Sequence, residues 1–136
     1  MSAAPAVLFV CSKNGGKSQM AAGLMRLEAG DAVVVESAGT QPGAAINALS
    51  AEVLLDLGVD IRDEQPKALT EEAMRRTGLV VVLGGEAQVD PVEGVALERW
   101  ETDEPSLRGI EGRKRMELVR DDIHARVKDL KTRLLG

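Results

Sequence analysis

Residues 6–18 read Ala6-Val7-Leu8-Phe9-Val10-Cys11-Ser12-Lys13-Asn14-Gly15-Gly16-Lys17-Ser18. The first five form a continuous apolar run, as expected of a strand covered on both faces. The one cysteine of the chain follows at its carboxyl end, and after it come two glycines and a lysine. From Ser18 to Ala29 the apolar spacing predicts a helix with Met20, Leu24 and Leu27 on its inner face. Strand, glycine-bearing loop and helix start together place a ring of backbone N–H groups at the positive end of a helix dipole. Such a ring suits a tetrahedral oxyanion.

The same alternation continues outward from this segment. Ala32–Glu36 is expected to be a second strand, and Ala45–Leu57 a helix closed by Gly58. Thr70 is placed to cap a short helix whose first turn carries Glu71 and Glu72, which complement the helix dipole. Leu79–Leu83 is a third buried strand and Val95–Trp100 a fourth. A last helix is expected over Glu111–Leu134, with Met116, Val119, Ile123, Val127, Leu130 and Leu134 as one apolar seam. The pairs Glu111/Arg115, Asp122/Arg126 and Asp129/Arg133 fall at i,i+4 and are expected to support its exposed side. Strands alternating with helices imply one α/β domain over 1–136, with a four-stranded parallel sheet and helices on both faces. In such sheets ligands bind beyond the carboxyl ends of the strands, where Cys11 stands.

At 136 residues the chain fits a single domain. A net charge of −5 argues against nucleic acid as a partner, because phosphate-backbone affinity needs clustered Lys and Arg. No apolar run reaches the ~18 residues of a membrane span, and the opening MSAAPAVLFV lacks the pattern of a secretory signal. A single cysteine forbids an internal disulfide and agrees with a reducing cytoplasm, the expected location. His/Cys/carboxylate clusters with metal-ligand spacing are absent, so no metal is expected. His124 shares a polar stripe with Arg120, Lys128 and Lys131 and is read as a solvated surface residue, while Trp100 suits either the core or a site wall.

Within the loop, Gly15 and Gly16 allow unusual torsions and let an anion approach without a Cβ in the way. Asn14 tolerates a left-handed conformation and can brace the loop with its side chain. Ser12, Lys13, Asn14, Gly15, Gly16 and Lys17 are the candidate oxyanion ligands. The helix end, Lys13 and Lys17 favour the thiolate form of Cys11, and Ser18 can donate a hydrogen bond to it. Two other phosphate motifs fail. A nucleotide-binding loop needs Gly five residues before Gly16, where Cys11 stands, and a thioredoxin-type site needs a second cysteine nearby.

Cys followed by five residues and then Lys17-Ser18, near the start of a small α/β chain, resembles the low-molecular-weight tyrosine phosphatase superfamily and the arsenate reductases built on that scaffold. Residues Glu36-Ser37-Ala38-Gly39-Thr40, the LVVVL strand, Trp100 and the acidic residue before Pro105 extend the resemblance over nearly the whole chain. It implies that Cys11 attacks the oxyanion and that a late acidic loop supplies a general acid. Here that loop offers Glu104, directly before Pro105, and its neighbour Asp103, and a carboxyl beside a bound anion is expected to have a raised pKa.

The family usually has Arg, a planar two-pronged donor, where this chain has the point charge of Lys17. Two relay cysteines of the thioredoxin-coupled reductases correspond to Gly84 and Asp90, the latter in an Asp90-Pro91 turn, so both thiols are missing. Reduction of arsenate takes two electrons, and a single sulfur cannot complete an internal thiol relay. Together with Gln19-Met20 and Ala96-Leu97-Glu98-Arg99-Trp100, this makes the chain most similar to the single-cysteine arsenate–mycothiol transferases. That likeness implies mycothiol as co-substrate and a mycoredoxin as partner. Two other readings stand beside it. A tyrosine phosphatase would share the loop, although the chain has no tyrosine, one Phe and one Trp to wall an aromatic substrate. A non-catalytic oxyanion-binding module would need no reactive sulfur.

Overall fold

The computed structural model describes residues 4–136. Four strands, β1 (Ala6–Cys11), β2 (Val34–Gly39), β3 (Leu79–Leu83) and β4 (Ala96–Trp100), are accompanied by helices α1 (Lys17–Ala29), α2 (Ala48–Leu55), α3 (Glu71–Thr77) and α4 (Gly112–Leu135). They follow in the order β1-α1-β2-α2-α3-β3-β4-α4, so the expected alternation fails between β3 and β4, which an extended loop joins. Short 3-10 turns occupy Gly30–Ala32 and Pro105–Arg108. The sheet is entirely parallel with order β2-β1-β3-β4. β1 and β3 sit at its centre, with Val10 opposite Val82 and Cys11 opposite Gly39. The chain runs to one side of β1 first and to the other afterwards, so the crevice between the loops following β1 and β3 is the binding position that this topology creates.

Both faces of the sheet are covered, which is why its central strands are unbroken apolar runs. Val7, Phe9, Val81 and Leu83 pack with α1, α2 and α4, while Leu8, Val10, Val80 and Val82 pack against Ala73 and Met74 of α3. Val119, Ile123, Val127 and Leu130 of α4 are fully buried, and Met116 and Leu134 extend the seam at its ends. Trp100 belongs to the core, tilted against Phe9 with ring centroids 5.7 Å apart. Thr70 caps α3, its side chain accepting from Ala73 N at 3.0 Å. No helix among the described residues is long and apolar enough to cross a membrane. Residues 1–3, part of the stretch read for a secretory signal, lie outside the described residues.

Tertiary contacts correct several expectations. Leu27 is 47% exposed; α1 buries every residue from Ser18 to Met25, then its last turn emerges beyond the elements packed on it. The second strand starts two residues later than expected and continues to Gly39, because β1 offers pairing partners as far as Cys11. The second helix begins at Ala48 rather than Ala45: Asn47 caps it, its side chain accepting from Ser50 N at 2.9 Å. Asp122/Arg126 and Asp129/Arg133 pair as expected, at 3.3 and 3.5 Å. Arg115, by contrast, leaves Glu111 and turns to Glu104. His124 is not a free surface residue, since its Nε2 lies 2.8 Å from Glu28 Oε2 and joins α4 to α1.

Candidate active site

The loop after β1 is shaped from outside. The carbonyls of Cys11, Ser12, Lys13 and Gly15 accept from the backbone N–H groups of Thr40, Gln41, Gly43 and Asn47 at 2.7–3.2 Å, and that of Asn14 accepts from Gln19 Nε2 at 3.2 Å. In a trans peptide the C=O and the following N–H point in opposite directions. Five carbonyls held outward therefore turn the amides of Ser12 through Gly16 toward the concave side, and Asn14 N reaches Cys11 Sγ at 3.3 Å. Gln41, Gly43 and Asn47 spend their N–H groups on this splint, which holds segment 41–47 off a helical path. The close fit needs glycine: a Cβ on Gly15 would stand 2.8 Å from the Ala45 carbonyl oxygen.

Asn14 is the only non-glycine residue at positive φ among those described, at 53°. The left-handed position of the loop thus falls on Asn14; neither glycine is at positive φ, and Gly16, at φ −133° and ψ −98°, lies outside the β and α regions that other residues favour. Asn14 is completely buried and fully used. Its Oδ1 accepts from Lys67 N at 2.8 Å and Gln19 Nε2 at 3.2 Å, and its Nδ2 donates to Ser18 Oγ at 2.7 Å. With that oxygen's acceptor capacity engaged, the Ser18 hydroxyl is free to donate toward Cys11 Sγ, 3.0 Å away. Cys11 is 8% exposed and opens onto a cavity of about 600 Å³.

Ser12, Lys13, Gly16 and Lys17 share that cavity with Gly84, Gly85, Thr102, Glu104, Leu107 and Arg115. Gly84 has a φ of 84°, and a Cβ there would lie 3.4 Å from Lys17 Nζ. The turn carrying it is fastened by Arg99, which donates to the carbonyls of Gly84 at 2.6 Å and Ala87 at 2.9 Å. The two acidic candidates separate. Glu104 faces the cavity, with Oε2 3.9 Å from Lys17 Nζ and Oε1 accepting from Arg115 Nη2 at 2.5 Å and from Ser106 Oγ at 2.8 Å. Asp103 is turned toward Arg108, which donates to both its oxygens at 2.8 and 3.1 Å.

Both carboxyls are held below their ordinary values, Asp103 by Arg108 and Glu104 first by the hydrogen bond from Arg115, with Ser106 and Lys17 adding to it. The expected upward shift of the acid is therefore reversed, because Arg115 and Lys17 flank Glu104 and Arg108 holds Asp103. Sequence reasoning missed Arg115, Arg99, Gln19 and the splint at 40–47. Gln19 directly after Ser18 was visible as a motif residue, but its partners Asn14 and Gln65 lie in other turns of the chain.

The chain matches the low molecular weight phosphotyrosine protein phosphatase family over residues 6–135. An arsenate reductase of Halalkalibacterium halodurans is 31% identical over 128 residues, covering 90% of this chain and 91% of that one. The structure of a Corynebacterium glutamicum thioredoxin-dependent arsenate reductase superposes with a TM-score of 0.83 at 32% identity. It covers 98% of this chain, which spans 63% of that longer protein. An Erwinia amylovora tyrosine phosphatase has the same fold, with a TM-score of 0.82 over 99% of this chain and 96% of its own at 18% identity. A sulfur cupped by amides at the switch point of a parallel sheet, and a match along almost the whole length, lead to one conclusion: the chain belongs to the low molecular weight phosphotyrosine protein phosphatase family, in its arsenate-reductase branch.

Proposed function

We propose that this protein is a thiol-dependent arsenate reductase of the transferase type, joining arsenate to mycothiol for release of arsenite by a mycoredoxin. The observation that carries the reading is a single sulfur, Cys11, lying 3.0 Å from Ser18 Oγ and 3.3 Å from Asn14 N, in a chain with no second cysteine. Arsenate sits on the amides of Ser12–Gly16, with Lys13 and Lys17 offsetting its charge and Cys11 beneath it. A thiolate displaces one arsenate oxygen, which leaves as water after taking a proton from Glu104, and a sulfur–arsenic(V) bond forms. A second thiol then attacks that sulfur; the electron pair of the broken bond passes to arsenic, giving arsenite and a disulfide. Arsenic gains two electrons and two thiols lose one each. The chain supplies at most one of these thiols, so the rest come from solution, and the open cavity beside Gly84 and Gly85 gives them room.

Likeness to the thioredoxin-dependent Corynebacterium protein favours a second reading, in which the thiols from solution are those of thioredoxin. A phosphatase role draws less support, because no aromatic side chain lines the cavity over Cys11. The deciding experiment follows arsenite formation with purified protein and, in parallel, mycothiol plus mycoredoxin, glutathione plus glutaredoxin, or thioredoxin plus its reductase. Turnover with mycothiol, absent in Cys11→Ser, supports the transferase. Turnover with thioredoxin alone replaces it with the second reading, and hydrolysis of p-nitrophenyl phosphate without arsenate turnover refutes both.

A further inference from the structure

Three side-chain atoms among the described residues are buried without a hydrogen-bond partner: Gln19 Oε1, Thr102 Oγ1 and Arg115 Nε. Thr102 and Arg115 both line the cavity over Cys11. An unused buried donor is costly unless something comes to accept from it. Arg115 projects from the first turn of α4, and one of its donors already holds Glu104, whose other oxygen is 3.9 Å from Lys17 Nζ. One carboxylate thus stands between two cations at the edge of the amide cup.

We propose that Arg115 is a further ligand of the tetrahedral oxyanion, delivering from α4 the forked guanidinium that the loop lacks at Lys17, and that Glu104 keeps its place until the anion arrives. The inference rests on the oxyanion reading of the Cys11 loop and names a residue that reading does not use. A guanidinium carries five donors in a rigid plane and takes two oxyanion oxygens at once, which an ammonium group does not. A doubly charged anion outcompetes a single carboxylate for both cations. Once Arg115 and Lys17 turn to it, Glu104 loses its two cationic partners, keeps only Ser106 and gains a negative neighbour, so it takes up a proton from solvent. Anion binding in this way arms the acid that later protonates the departing oxygen.

The test measures arsenate and phosphate binding by calorimetry in the Cys11→Ser background, which cannot turn over. Arg115→Met is expected to weaken both anions by about tenfold to a hundredfold, the range of a charge-assisted hydrogen-bond pair, and Arg115→Lys by less. Glu104→Gln removes the competing carboxylate and is expected to tighten binding, and that gain is expected to shrink to the share owed to Lys17 when Arg115→Met is added. In the active enzyme the same substitution raises the arsenate KM and leaves the thiol KM unchanged. A residue that merely pins α4 to the acidic loop would alter unfolding midpoints and none of these ratios. Affinity within twofold of the parent in Arg115→Met, or a Glu104→Gln gain that is undiminished in the double variant, overturns the proposal. Should Arg115→Met not fold, Arg115→Lys decides, and unchanged anion affinity there overturns it equally. If the Cys11→Ser parent itself binds neither anion, the oxyanion reading fails instead.

Discussion

Replacing Asn14 by alanine tests whether this buried side chain holds the reactive loop. Asn14 combines a φ of 53° with three side-chain hydrogen bonds, to Lys67 N, Gln19 Nε2 and Ser18 Oγ. Gln19 Nε2 keeps the Asn14 and Gln65 carbonyls after the change, and Ser18 keeps Cys11, so the group left unpaired is Lys67 N–H. Lys67 is exposed, so losing its bond and the bond to Ser18 costs about 1 kcal/mol each. Alanine in the left-handed region adds about 1–2 kcal/mol, which asparagine partly escapes. Asn14→Ala is therefore expected to lose roughly 3–4 kcal/mol, out of a typical 5–15 for a domain. Asn14→Gly loses the same bonds but not the backbone preference, and should be more stable than Asn14→Ala by about 1 kcal/mol. Urea unfolding followed by circular dichroism, with slopes compared across the set, reads both differences. A loss below about 1 kcal/mol in Asn14→Ala, or equal stability of the alanine and glycine variants, refutes the reasoning.

Three further outcomes follow from other contacts. Gly15→Ala, whose Cβ would meet the Ala45 backbone oxygen at 2.8 Å, should destabilise by about 1–3 kcal/mol and slow arsenate turnover. Gly16→Ala meets only Ser50 Oγ at 3.6 Å and should cost less in the same urea unfolding. Gly84→Cys, placed at a φ of 84°, should lower stability by about 1–2 kcal/mol and leave thioredoxin coupling unrestored, since the Asp90 position still lacks a thiol. Arg76 donates to both oxygens of Glu36 at 2.9 and 2.7 Å, tying α3 to β2 and lowering the carboxyl from its ordinary 4.5. A depressed folded-state value stabilises above the unfolded value and ceases to do so as pH falls through the folded one. The stability gap between wild type and Glu36→Gln should accordingly be full above pH 4.5 and close below it, as urea midpoints at stepped pH will show.

Much of this architecture is written locally. Apolar runs bounded by glycine and helices of period 3.6 define four strands and four helices without reference to one another, because each signal lies within a few residues. Cys11, Gly15, Gly16, Lys17 and Ser18 are likewise contiguous, so the amide cup and its sulfur can be read from one stretch. Leu27 and His124 were misjudged because exposure depends on which helix packs alongside; Glu28 meets His124 from 96 residues away.

The chemistry of the cup is decided at longer range. Its amides face inward because Thr40, Gln41, Gly43 and Asn47 hold its carbonyls outward, and that pairing overrides the helical pattern of 45–47. Which acid faces the sulfur is settled by Arg108 drawing Asp103 away, and the ionisation of Glu104 by Arg115 on a distant helix. Charges act through space, so their partners are fixed only when the elements are packed. Sequence determined that a lone sulfur sits at a glycine-bearing loop between a strand and a helix; the tertiary structure alone determined which cations and which carboxylate surround it.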